Sequence, residues 1–141
     1  MQIDALSTGL APFAARILIC AIFVQGAFGK IFGWSGQQEY MASHGMRFIP
    51  PLLAAALVIE VLGVLALLTG YHARIAALVM FVYLGIVSVM LHNFWAASGM
   101  SAATGQTQFL KNVGIMGGLL MVVAFGPGRW AIGPRSKSKR V

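Results

Sequence analysis

The sequence predicts an all-α integral membrane protein, a four-helix bundle whose helices each cross a bilayer. Three observations carry that prediction. Hydrophobic residues make up 59% of the 141 residues and charged residues only 9%, against roughly 25% charged in soluble proteins. The apolar residues gather into four runs, about 12–33, 50–70, 73–95 and 108–126. Each is close to the ~20 residues a helix needs to cross a ~30 Å hydrocarbon core. Every run also holds an ionisable residue beside small ones, the pattern of helices that pack on one another in lipid.

The first run begins after a leader with an acid, Asp4, and no basic residue before Arg16. A secretory signal needs a positive start and a shorter apolar run, so this segment reads as a retained span. Pro12 suits a first helical turn, where its missing N–H costs nothing. Trp34 stands at an interfacial position. Residues 34–49 form a polar connection with Glu39, His44 and Arg47, long enough for a short interfacial helix. The second run ends at the tight turn Thr69-Gly70-Tyr71-His72. The third leads to Trp95 at its far interface. Residues 96–107 are rich in Gly, Ser, Ala and Thr and read as a second connection. The fourth run stops at Gly126-Pro127-Gly128. Residues 1–134 form one domain, and 135–141 a basic tail read as disordered.

Net charge is +7, from ten basic residues against Asp4, Glu39 and Glu60. Nucleic-acid binders gather such charge on an exposed face. Here five of the ten lie beyond residue 128, so the expected partner is a lipid bilayer with anionic headgroups, not nucleic acid. Four spans put both termini on one side. Arg74, Arg129, Arg135, Lys137, Lys139 and Arg140 mark that side as cytoplasmic, N-in and C-in. Ala15-Arg16-Ile17 and Ala73-Arg74-Ile75 open the first and third spans alike, which would suit two parallel helical hairpins.

The ionisable residues then predict which faces meet. Lys30 lies between Gly26 and Gly33, with Gly29 beside it. Glu60 shares a face with Ala56 and Gly63, His92 with Ser88 and Gly85, and Lys111 with Gly114 and Gly118. Helical side chains lean toward their own N-terminus. Lys30 therefore leans toward the midplane and Glu60, on an antiparallel span, leans to meet it. The expectation is a Lys30–Glu60 contact in the outer half of the bundle, with His92, Asn93, Trp95, Lys111 and Asn112 at its mouth. Arg16 is expected to snorkel to the cytoplasm.

A carboxylate at mid-membrane costs ~3 kcal/mol or more. Glu60 is thus either a paired strut holding helices in register or a proton-handling or ligand-binding group. His72 lies at the opposite face from His92 and His44 is on a loop, so no haem pair is expected, and no metal site. Cys20 is alone, which excludes an intrachain disulfide. No Walker loop, nucleophile elbow or zinc-protease motif occurs, and nothing specifies an enzyme.

The chain resembles the DoxX family of small bacterial inner-membrane proteins. The resemblance rests on GxxGKIFGW closing the first span, Glu60 in the second, GYHAR at the inner turn, HNFW closing the third, and QFLKNVGIMGGLL…GPGRWAI. It implies four helices in the inner membrane, with Gly29, Lys30, Glu60, Arg74, His92, Phe94, Trp95, Lys111, Asn112 and Gly126-Pro127-Gly128 as motif residues. It also implies a link to quinone-dependent or oxidative-stress chemistry, in which electrons pass through a bound quinone or redox partner proteins. The expected function is a quinone-binding or redox-homeostasis membrane subunit. A small-solute permeation subunit and a ligand-free scaffold for partner proteins are the alternatives. The glycine faces could serve the monomer's interior or a homo-oligomer.

Overall fold

The computed structural model describes residues 6–132; Asp4 and the basic tail lie outside the described residues. Four long helices are apolar enough to cross a membrane. A π-helical turn, Leu6–Leu10, leads into α1, Ala11–Phe32. Then follow α2 (Trp34–Ser43), α3 (Ile49–Thr69), α4 (Ala73–Leu91), a 3-10 turn at Phe94–Ala96, and α5 (Gly99–Phe125). The short α2 is the interfacial helix expected in the first connection. Helix α1 packs on α3, α3 on α4 and α4 on α5, while α1 and α5 touch lightly.

Two boundaries differ from expectation. Helix α4 ends at Leu91, and the chain turns through His92 and Asn93 instead of continuing to Trp95. Helix α5 starts at Gly99, more than two turns before the apolar run. Residues 99–107 looked like a loop because they are small, and smallness here serves close approach. A Cβ on Gly105 would lie 3.2 Å from Phe94 Cβ, so the connection folds directly against the helix it precedes.

The core holds Cys20 and Phe23 of α1, Val64 and Leu67 of α3, Ala77, Met80 and Leu84 of α4, and Leu119 and Val122 of α5. Gly63 makes the α3–α4 crossing close, since a Cβ there would sit 2.3 Å from Met80 Sδ. Exposed Leu, Ile, Val and Phe cover the outside, which in lipid is the favourable arrangement.

The end that carries the α3–α4 turn, Leu6 and Ile132 is sealed. Arg16 is fully buried there, and the expected snorkelling does not occur. Its guanidinium donates to Leu67 O at 2.8 Å, Leu68 O at 3.1 Å and Trp130 O. These are the orphan carbonyls of the end of α3 and of the strand of chain after α5. Satisfying them keeps the cation inside. Gly126 and Gly128, at φ 83° and 81°, turn the chain back so that Arg129 N–H reaches Thr8 O and Ile132 N–H reaches Thr69 O, both at 2.8 Å. Gly70, at φ 79°, ends α3 where a Cβ would collide with Ala131.

The two hairpins echo each other. Arg16 lies against Gly70, which closes α3, and Arg74 lies against Gly126, which closes α5. Helices α1 and α4 run one way, α3 and α5 the other.

Arg16→Met should leave the three carbonyls unpaired and cost roughly 3 kcal/mol. Arg16→Lys should recover only part of this, because one ammonium cannot span the set. Thermal unfolding of the purified protein in detergent measures both.

Candidate functional site

At the opposite end, where the two long connections lie, the bundle opens into a cup of about 1080 Å³. Its floor is a cluster of three polar side chains from three helices. Lys30 Nζ lies 2.7 and 2.9 Å from the two carboxylate oxygens of Glu60. Tyr83 Oη donates to Glu60 Oε1 at 2.7 Å. The Lys30 side chain is 13% exposed and that of Glu60 6%. The pair expected between α1 and α3 is therefore present. Gly26 makes room for it: a Cβ there would stand 3.3 Å from both Glu60 oxygens. Lys30 also approaches the Gly26 carbonyl at 3.4 Å.

An ion pair this deep holds only if its remaining hydrogen-bonding capacity is met. Tyr83 meets part of it. Sequence reasoning missed this residue, although a buried phenol in an apolar span always needs a partner, and that requirement was the available signal.

A second polar pair stands beside the first. Asn112 Nδ2 donates to Ser88 Oγ at 2.9 Å, and Ser88 donates to Leu84 O at 2.6 Å. Both Asn112 and Ser88 are buried. His92, Asn93, Gln108 and Lys111 line the cup above them, joined by Gln37, Tyr40 and His44 from the first connection. The backbone break at His92 turns residues 92–94 over the opening. Tyr40 Oη donates to Leu91 O at 3.0 Å, tying α2 to the end of α4. Burial raises the Tyr40 phenol above its ordinary range, so it remains a donor at neutral pH.

Three expected residues stand elsewhere. Trp95 is outside the lining and packs edge-on against Phe94 and Phe109, because the 3-10 turn swings it to the surface. Gly114 faces open space and serves no helix contact. Gly33 ends α1, where its N–H bonds Gly29 O, and a Cβ would press on that same carbonyl. Gly118 does pack, with Ile19 3.0 Å from its Cβ position, and Gly29 faces Gln37 at 3.8 Å. Among the described residues no three His, Cys, Asp or Glu side chains converge on a metal position.

The DoxX family profile matches residues 11–93, which hold the Lys30–Glu60–Tyr83 floor. The chain belongs to the DoxX family. Inner membrane protein YphA of Escherichia coli (strain K12) is 37% identical over 117 residues, 81% of each chain. Inner membrane protein YqjF of the same organism is 33% identical over 119 residues, 84% of this chain and 85% of its own. ER-derived vesicles protein ERV29 of Saccharomyces cerevisiae (strain ATCC 204508 / S288c) is 24% identical over 129 residues, 92% of this chain but 34% of its own. No solved structure matches.

In this DoxX protein, removal of one member of the ion pair strands the other. Lys30→Met or Glu60→Leu alone should destabilise by about 3–5 kcal/mol. The double variant should be clearly less destabilised than the sum of the two. A double-mutant cycle of thermal or denaturant unfolding in micelles reads the coupling, and additivity would contradict the pairing.

Proposed function

We propose that this protein is an inner-membrane subunit that binds the head of a small, membrane-soluble amphiphile in its cup, a quinone being the representative ligand. The cup supports this most directly. Its volume is generous for a small-molecule site, commonly ~300–1,000 Å³. Its wall is apolar, with Phe23, Leu53, Ile59, Leu84 and Val87, and a few polar groups gather at the floor and rim. A quinone has two carbonyl acceptors on a flat ring and an apolar tail. His92, Asn93 and Lys111, at the rim, can donate to its carbonyl oxygens. Glu60, held between Lys30 and Tyr83, is the group through which a proton would be exchanged. Redox homeostasis is the corresponding cellular role, with electrons supplied by a partner protein.

The names of the two bacterial relatives support the inner membrane. Arg74 and Arg129 at the sealed end support a cytoplasmic placement of that end, which leaves the cup open to the outer face. A permeation path suits the molecule less well. Below Glu60 the buried Cys20, Leu67, Met80, Leu119 and Arg16 fill the bundle, so the cup has a floor.

Decylubiquinone should bind the purified protein in nanodiscs in a saturable way. Glu60→Gln should weaken binding by about tenfold or more, the scale of one lost charged hydrogen bond. Ala56→Phe, which narrows the cup and keeps every charged residue in its lining, should do the same. Unchanged binding in both folded variants would end the quinone reading.

A further inference from the structure

The charges that line the cup do not balance. Lys30 and Lys111 are cationic, and Glu60 is the single acid in the lining. Glu60 is already matched: both its oxygens take Lys30, and one also takes Tyr83. The other acid among the described residues, Glu39, lies outside the lining. Lys111 makes no ion pair or hydrogen bond among the described residues. An ammonium at the mouth of an apolar cavity attracts a counter-charge more strongly than one in bulk water, because the surrounding dielectric is lower.

Its position is fixed from behind. Asn112, the next residue, is buried and bonded to Ser88 across the α4–α5 contact, so α5 cannot rotate Lys111 away from the rim. His92 and His44 line the same opening as Lys111. Asn93 and Gln108 add neutral hydrogen-bond donors around the same opening.

We infer that the ligand of the cup is an acid, an amphiphile whose carboxylate or phosphate head sits against Lys111, His92 and Asn93 while its chain lies on the apolar wall below. The inference rests on the reading of the cup as an amphiphile site and adds the charge of the head. A neutral quinone accepts hydrogen bonds at the rim and leaves Lys111 without a counter-ion. An anionic head supplies one at the depth where an amphiphile's polar end meets the interface.

The test uses the full chain in phosphatidylcholine nanodiscs, with empty nanodiscs as the blank. Laurate, dodecyl phosphate and dodecanol have the same chain length and differ in the head. At least one acid should bind, saturably and in excess of the blank, about tenfold more tightly than the alcohol. The tighter of the two acids separates a carboxylate from a phosphate source. Lys111→Gln should bring the acid-to-alcohol ratio to within roughly twofold, and Lys111→Arg should keep it. Lys111 is exposed, so both variants should keep the wild-type melting temperature. Equal binding of acid and alcohol, or a preference that survives Lys111→Gln, overturns the acid assignment. If that happens while decylubiquinone or dodecanol still binds, the amphiphile site itself stands. If none of the four compounds binds saturably, the site reading and the acid assignment both fall.

Discussion

A carboxylate in the apolar middle of a bundle needs a cation, and that need fixes how α1 and α3 lie together. Glu60 is near mid-helix in α3, and Lys30 can reach both its oxygens only if the backbones approach closely. Gly26 permits the approach, with no side chain between the helix axis and the carboxylate. Without the hydrophobic drive that collapses soluble cores, such contacts and tight packing carry more of the specificity. The pair then determines what can sit above it. Large apolar residues cannot fill the space over a charged floor without leaving the ions poorly solvated, so the bundle widens toward the two long connections.

The two ends treat buried charge by opposite means. Arg16 is surrounded by carbonyls from helix ends and from the chain after α5. These acceptors are neutral and rigid, so the cation becomes part of a seal. Glu60 is met by an amine and a phenol on flexible side chains, and the space next to them is open. One end of the bundle is thus closed over its buried charge, and the other is open above it.

Much of this was legible in the chain. The four runs and their small faces identify the helices, and the lean of side chains toward helix N-termini brings Lys30 to Glu60. That rule depends only on helix geometry and on antiparallel neighbours, both of which apolar length and short turns guarantee. It failed for Arg16, since snorkelling assumes that water is the best acceptor within reach. Two carbonyls at the end of α3 and that of Trp130 were nearer, and the last is placed by the way residues 126–132 fold back. Composition also misread 99–107, because small residues mark either a loop or a helix surface against which another segment is pressed. The distinction lies in tertiary contact, here Phe94 on Gly105. Tyr83 carried a weak signal of its own, but its partner could be found only once α3 and α4 were docked.

The hairpin echo explains why the cup is lopsided. Lys30 stands fourteen residues after Arg16, and Ser88 fourteen after Arg74. In the first hairpin that position is a charged donor answered by Glu60; in the second it is a hydroxyl answered by Asn112. The exchange of an ion pair for a neutral pair has a physical consequence. The neutral pair is small and buried at the α4–α5 contact, so these helices close around it. The ion pair needs long side chains and solvation from one side, so the first hairpin stays open at that level. Each hairpin sets an arginine against a helix-closing glycine at one end, and the two diverge in polarity at the other. From that divergence come a cavity bounded by charge on the α1–α3 side and, across it on α5, a lysine with no acid partner among the described residues.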